Sequence, residues 1–274
     1  ITRGGSNSLT YIFIFAICLL ATTAGAVSGI GGGVIIKPVM DAVSGLNVST
    51  ISFLSGCTVL AMAAVSLIRS RNTEVKIEIK KTTLLAIGAS AGGILGKYLF
   101  DFIRGSFPGD RVVGSVQSFL LILITFGVFL YVRYKYRIQP RNVQNLTACI
   151  FIGLILGMIS AFIGIGGGPI NIAVLSYFFS MDSKTCALNS IYTILFSQAT
   201  SLISTFYNHT VPDFDPLLLA LMVVGGILGG FVGSAVSKKL TNRMVDKLFS
   251  MIMLVIIGIS LYNFIEFFYD GRTG

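Results

Sequence analysis

Apolar residues run through this chain in blocks too long for the core of a soluble domain, divided by short polar connections. Blocks long enough to cross a hydrocarbon layer of roughly 30 Å lie at about Thr50 to Ile68, Thr82 to Ile103, Val113 to Tyr134, Cys186 to Tyr207, Pro216 to Val236 and Met244 to Phe268. Each predicts a transmembrane helix. Two more apolar regions, Leu9 to Leu46 and Leu146 to Met181, are each split by a glycine cluster.

The two clusters have one sequence, Gly-Ile-Gly-Gly-Gly, at Gly29 to Gly33 and Gly164 to Gly168. A shift of 135 residues superposes them, and fifteen of the forty positions from Gly29 to Ile68 are then identical to their partners. Thr50 meets Thr185, Ser55 meets Ser190, and Thr58 meets Thr193. After a two-residue slip, Gly92 to Gly96 matches Gly225 to Gly229. The chain is an internal duplication, with repeat one at 1–134, a cytoplasmic linker at 135–145 and repeat two at 146–274.

Composition agrees with a polytopic membrane protein: 54% of the 274 residues are hydrophobic and only 11% charged. The first apolar run carries the first glycine cluster, so it reads as mature protein rather than a secretory signal. Four cysteines (Cys18, Cys57, Cys149, Cys186) fall inside apolar runs without metal-ligand spacing and read as packing residues. No cofactor is expected. The formal charge of +9 sits in short loops, which points to membrane orientation rather than to nucleic acid.

Charge also bears on topology. If every apolar region crossed once, the two sides would carry similar charge. If each glycine-split region is a re-entrant hairpin leaving on the side it entered, six full spans remain and the sides carry +10 and −2, with Lys37 left inside a hairpin. The basic connections are then Arg69 to Lys81, Arg133 to Arg141, Asp182 with Lys184, and Lys238 to Lys247. Basic loops face the cytoplasm, which places both termini outside. Three crossings per repeat invert the second copy relative to the first, an arrangement that secondary transporters share. The expected fold is an all-α polytopic membrane protein of two inverted repeats, each a glycine-broken re-entrant helical hairpin plus three transmembrane helices.

Non-helical backbone at membrane depth persists only where protein or a water-filled cavity satisfies it. Gly31, Gly32 and Gly33, and their counterparts Gly166, Gly167 and Gly168, offer successive N–H groups ahead of a helix start, a concave donor site for an anion. The competing reading is a tight interhelical turn with no ligand. Pro169 suits the first turn of its half-helix, and the dinucleotide fingerprint is a poor match because no strand precedes the glycines. Lys37 lies one helical turn past Gly33. It either assists an anion or snorkels to the interface, and its counterpart is Ile172.

Ser55 and Thr58 on the helix after the first cluster, and Asn189, Ser190, Tyr192, Thr193 and Gln198 after the second, with Asn171 on the second half-helix, are candidates to complete the pocket. Ser and Thr in membrane helices also serve packing. Gly88, Gly92 and Gly96, like Gly225, Gly229 and Gly233, recur every four residues and read as helix-packing ridges. The sole histidine, His209, lies in an acidic connection and no carboxylate lies mid-membrane, so an enzyme is not expected.

Paired Gly-x-Gly-Gly-Gly motifs in a duplicated membrane protein, the first running Gly29-Ile-Gly-Gly-Gly-Val-Ile-Ile-Lys-Pro38, resemble the TauE/SafE family. Pro38 aligns with Ala173, and Pro169 comes earlier in the second copy, a departure from strict two-fold symmetry. The resemblance implies a permease of the cell membrane whose partner is a small anion: sulfite, an organosulfonate or a related carboxylate. Membrane lipid would surround it, and a homodimer is compatible with it. An anion channel is the main alternative, and a membrane sensor or scaffold a weaker one.

Overall fold

The computed structural model describes residues 4–71, 73, 75–106, 110–163 and 167–270. Among them the chain is all helical, with no strand: α1 (Gly4–Ser28), α2 (Gly33–Val43), α3 (Val48–Ser70), α4 (Ile79–Ser106), α5 (Asp110–Tyr134), α6 (Leu146–Ile163), α7 (Gly168–Phe179), α8 (Ser183–Tyr207), α9 (Pro216–Lys239) and α10 (Asn242–Asp270). Each of the six sequence blocks lies within one of these helices. Seven described helices (α1, α3, α5, α6, α8, α9 and α10) are long and apolar enough to cross a membrane. The protein is an integral, multi-pass membrane protein.

Local chemistry fixes several ends. Asp182 accepts from the Thr185 N–H at 2.8 Å and starts α8, and Asp215 accepts from the Leu217 N–H at 2.8 Å ahead of Pro216 at the start of α9. Both are side-chain caps that satisfy amides left over at a helix start. The glycine breaks divide unequal arms: α1 has 25 residues and α2 has 11, while α6 has 18 and α7 has 12.

The outward surface is apolar. On α5, Phe119, Leu123, Phe126 and Leu130 form an exposed stripe at helical spacing, while Leu121, Thr125, Val128 and Val132 form the buried one. In water such a face would drive association; in lipid it is solvated.

Contacts at the two ends fix how the helices run. At one end, the Thr50 hydroxyl near the start of α3 donates to the Asp213 carbonyl at 3.1 Å, and Tyr11 of α1 donates to the Asp215 carboxylate at 2.5 Å. At the other, Lys135 meets Asp246 at 2.7 Å and donates to Ser183 at 2.8 Å. The segment between α5 and α6 lies here too, its Arg141 and Val143 N–H groups donating to the carbonyls of Tyr177 and Phe178 at the end of α7.

Glycine ridges set the tightest packing, and each joins the two halves of the chain. A Cβ at Gly88, Gly92 or Gly96 of α4 would overlap the carbonyls of Ile150, Leu154 or Met158 of α6, and one at Gly153 or Gly157 of α6 would overlap those of Leu85 or Ala89. These positions ascend together, so α4 and α6 run parallel with their backbones in contact. The same relation holds for Gly225, Gly229 and Gly233 of α9 against α1, where a Cβ would lie 3.1 Å from the Cys18 Cβ, 2.8 Å from the Leu19 carbonyl and 2.6 Å from that of Thr23. The packing role read from the glycine spacing is borne out. α1 carries Cys18 and Thr22 where α6 carries Gly153 and Gly157, so its pairing is the less close.

Candidate functional site

The first break forms where α1 ends and the chain doubles back on itself. The Gly29 and Gly31 N–H groups both return to the Gly25 carbonyl, at 2.9 and 3.4 Å. Gly31 has φ +78, a left-handed conformation that a side chain resists. Among the described residues, no backbone carbonyl accepts from the N–H of Gly32 or Gly33, so the start of α2 presents unused amide donors inside the bundle.

The break is buried where α3 and α8 cross. Ser190 of α8 donates to the Gly29 carbonyl at 2.6 Å, and a Cβ on Gly31 would meet Ile194 of α8 at 3.2 Å and Val59 of α3 at 3.6 Å. A hydroxyl of the second half of the chain therefore holds the glycine loop of the first.

The second break touches the first. A Cβ on Gly168 would lie 3.0 Å from the Ile30 carbonyl and 3.1 Å from the Ile30 side chain. Gly167 has φ +103, and Asn171 folds back toward it, with its Nδ2 2.9 Å from where a Cβ would stand. Asn171 is 1% exposed, and its Oδ1 has no hydrogen-bond partner. Gly166, the remaining glycine of the predicted site, lies outside the described residues.

Lys37 is 4% exposed. Its ammonium does not snorkel: it donates to Gln117 Oε1 and to the Ile163 carbonyl, both at 3.0 Å, and Gln117 Nε2 donates to the Phe162 carbonyl at 2.8 Å. A cation is thereby placed on the C-terminal end of α6, the negative end of its dipole, beside the second glycine cluster.

The profile of the family described as "Sulfite exporter TauE/SafE" matches residues 14–261. The chain belongs to the TauE/SafE family. It is also 22% identical over 281 residues to the "Probable membrane transporter protein YunE" of Bacillus subtilis (strain 168), an alignment covering 92% of this chain and 97% of that protein. No solved structure matches the chain significantly. The protein is a membrane transporter of this family.

In this TauE/SafE protein the other predicted polar residues divide into two groups. Ser55 and Thr58 of α3 are buried, Thr58 donating to the Leu54 carbonyl at 2.8 Å. Thr193 makes the equivalent bond to Asn189 at 3.0 Å. Gln198 faces α3, its Oε1 3.1 Å from where a Cβ on Gly56 would stand. Of these, Gln198 spans the α3 and α8 crossing, whereas the Thr58 methyl turns to α9, 3.0 Å from where a Cβ on Gly226 would stand.

Asn189 and Tyr192 turn instead toward α4. Asn189 Oδ1 accepts from Thr82 at 2.6 Å and from the Glu78 N–H at 3.0 Å, while the Tyr192 hydroxyl lies 3.0 Å from that of Thr83. Their observed partners fasten the first turns of α4. Ser190, a candidate from its identity with Ser55 under the repeat shift, does reach the first break, whereas nothing in the sequence marked Gln117.

Proposed function

We propose that the chain is a permease for a small anion: sulfite, an organosulfonate or a related sulfur-containing or carboxylate anion. The recognition site would lie near the bilayer centre between the two glycine breaks. One observation carries this reading: the breaks touch, Gly168 against Ile30, in the bundle interior. Unused N–H donors at Gly32 and Gly33 lie at the first break, the Asn171 Nδ2 stands beside Gly167 of the second, and the Lys37 ammonium rests on the Ile163 carbonyl at the end of α6. Donors and a cation in a dry setting favour an anion. The sulfite in the family's description supports the choice of substrate class.

We infer further that each glycine-split region is a re-entrant hairpin and that the repeats are inverted. Three contacts support it. α1 and α3 both run parallel to α9, as the ascending pairs Gly226 with Thr58 and Gly230 with Met62 indicate for α3, so α2 returns between them. α7 ends against the segment from which α6 begins. α3 and α8, equivalent under the repeat, run antiparallel, with Phe53 near Phe206 and Val59 near Ile194. Accessibility labelling of single cysteines in the 69–81 and 213–215 connections tests this, and labelling of both from one side of the membrane contradicts it.

A channel would conduct without saturation. Uptake of sulfite and methanesulfonate into proteoliposomes that saturates with concentration supports the permease, and unsaturable conductance overturns it.

A further inference from the structure

A cavity of about 370 Å³ opens at the end of the bundle where the basic connections gather. The ends of α3 and α9 supply Ser66, Ser70, Ser234 and Ser237 to its wall; Lys184 at the start of α8 and Lys238 of α9 add two ammonium groups. Among the described residues no carboxylate lines it, and neither lysine has a carboxylate within ion-pair distance. Ala26 and Ala187 form its inner wall, and Ala187 is the residue on which Gly29 packs, its carbonyl 2.8 Å from where a Cβ on that glycine would stand. The cavity therefore ends on the tip of the first glycine break.

We propose that this cavity is a docking vestibule for a small oxyanion, held by Lys184, Lys238 and the serine hydroxyls before it reaches the glycine breaks. The proposal rests on the permease reading for its purpose, though not for its chemistry. Two cations, unpaired among the described residues, focus an attractive field on an anion beside a low-dielectric wall. Hydroxyl donors are available too, because Ser70 bonds the Ser66 carbonyl at 2.7 Å and Ser234 that of Phe231 at 3.0 Å. Those are back-bonds to helical carbonyls, which a hydroxyl rotor can exchange for an anion.

A second void is far smaller. The void around Lys37, Gln117 and Asn263 measures only about 20 Å³, room for about one water. A substrate bound at the first break would communicate with the basic end through the vestibule.

The test places one reactive thiol in the vestibule, Ser237→Cys in the full chain with Cys57→Ala, and follows its maleimide labelling. Methanesulfonate, sulfate and acetate are the probes, with ionic strength held constant. At least one probe should slow labelling severalfold, and in Lys184→Gln with Lys238→Gln the half-protecting concentration should rise about fivefold for each ammonium lost, the strength of one contact-distance charge pair in water. No protection by any probe, or protection unchanged in the double variant, overturns the vestibule. Uptake of the same anions by wild-type proteoliposomes separates the two claims: uptake without protection sinks the vestibule and leaves the permease, while protection without uptake does the reverse.

Discussion

Lys37 reaches from α2 to the Ile163 carbonyl at 3.0 Å and so caps the broken end of a helix 126 positions further along the chain. This contact joins the half-helix of the first break to the long arm of the second. A buried ammonium survives here because Gln117 Oε1 and the Ile163 carbonyl accept hydrogen bonds from two of its three N–H groups, and the nearby Asp41 carboxylate opposes its charge.

Replacing Lys37 by Gln is expected to act on two quantities. Losing a charge-assisted bond to a buried carbonyl should lower stability by about 1–3 kcal/mol, read as a lower unfolding temperature in detergent. If the ammonium also supports the anion, the dissociation constant for methanesulfonate should rise. A lower unfolding temperature with an unchanged dissociation constant would reduce Lys37 to a helix cap.

The α4 and α6 interface predicts a sharp contrast between neighbours. Gly92 faces the Leu154 carbonyl with no space for a side chain, whereas Gly93 has nothing within 4 Å. Gly92→Ala should cost about 1–3 kcal/mol, the usual range for overpacking, while Gly93→Ala should leave the unfolding temperature unchanged or raise it slightly. Equal temperatures for the two variants would show that these backbones are not in contact.

Much of this organisation was legible because duplication and hydropathy are local signals. Thr50 to Ile68 sits inside α3, and Pro216 to Val236 inside α9, since lipid demands an uninterrupted helix of that length. The glycine ridges were readable as packing surfaces, but their partners were not. A spacing of four says that a helix is smooth on one face; it cannot say that α4 meets α6 and α9 meets α1, each in the other half of the chain. Lys37 was visible as an intramembrane charge, yet its partner Gln117 lies 80 positions away in an apolar run. Asn189 is the immediate neighbour of Ser190 and still points to α4, because adjacent positions on a helix lie on different faces.

Asp215 should make stability depend on acid. The Tyr11 hydroxyl donates to its carboxylate, and the Leu217 N–H does so as well; together they hold its pKa below the usual carboxylate value. A depressed folded pKa adds stability that is present above the unfolded value of about 3.9 and is lost as pH falls through the folded one. Asp215→Asn should therefore unfold at lower temperature at neutral pH and show a smaller further drop on acidification to pH 3. Parallel pH profiles for the two proteins would remove Asp215 from the account.

The anion site itself is tested most directly by locating a heavy analogue of the proposed substrate. Selenite has the shape and charge of sulfite and scatters anomalously, so its position can be read from crystals of the protein soaked at saturating concentration. The account predicts a peak within hydrogen-bonding distance of the Gly32 or Gly33 N–H and close to Gly167 and Asn171. A protein that transports selenite yet shows its bound anion away from both glycine breaks would contradict it.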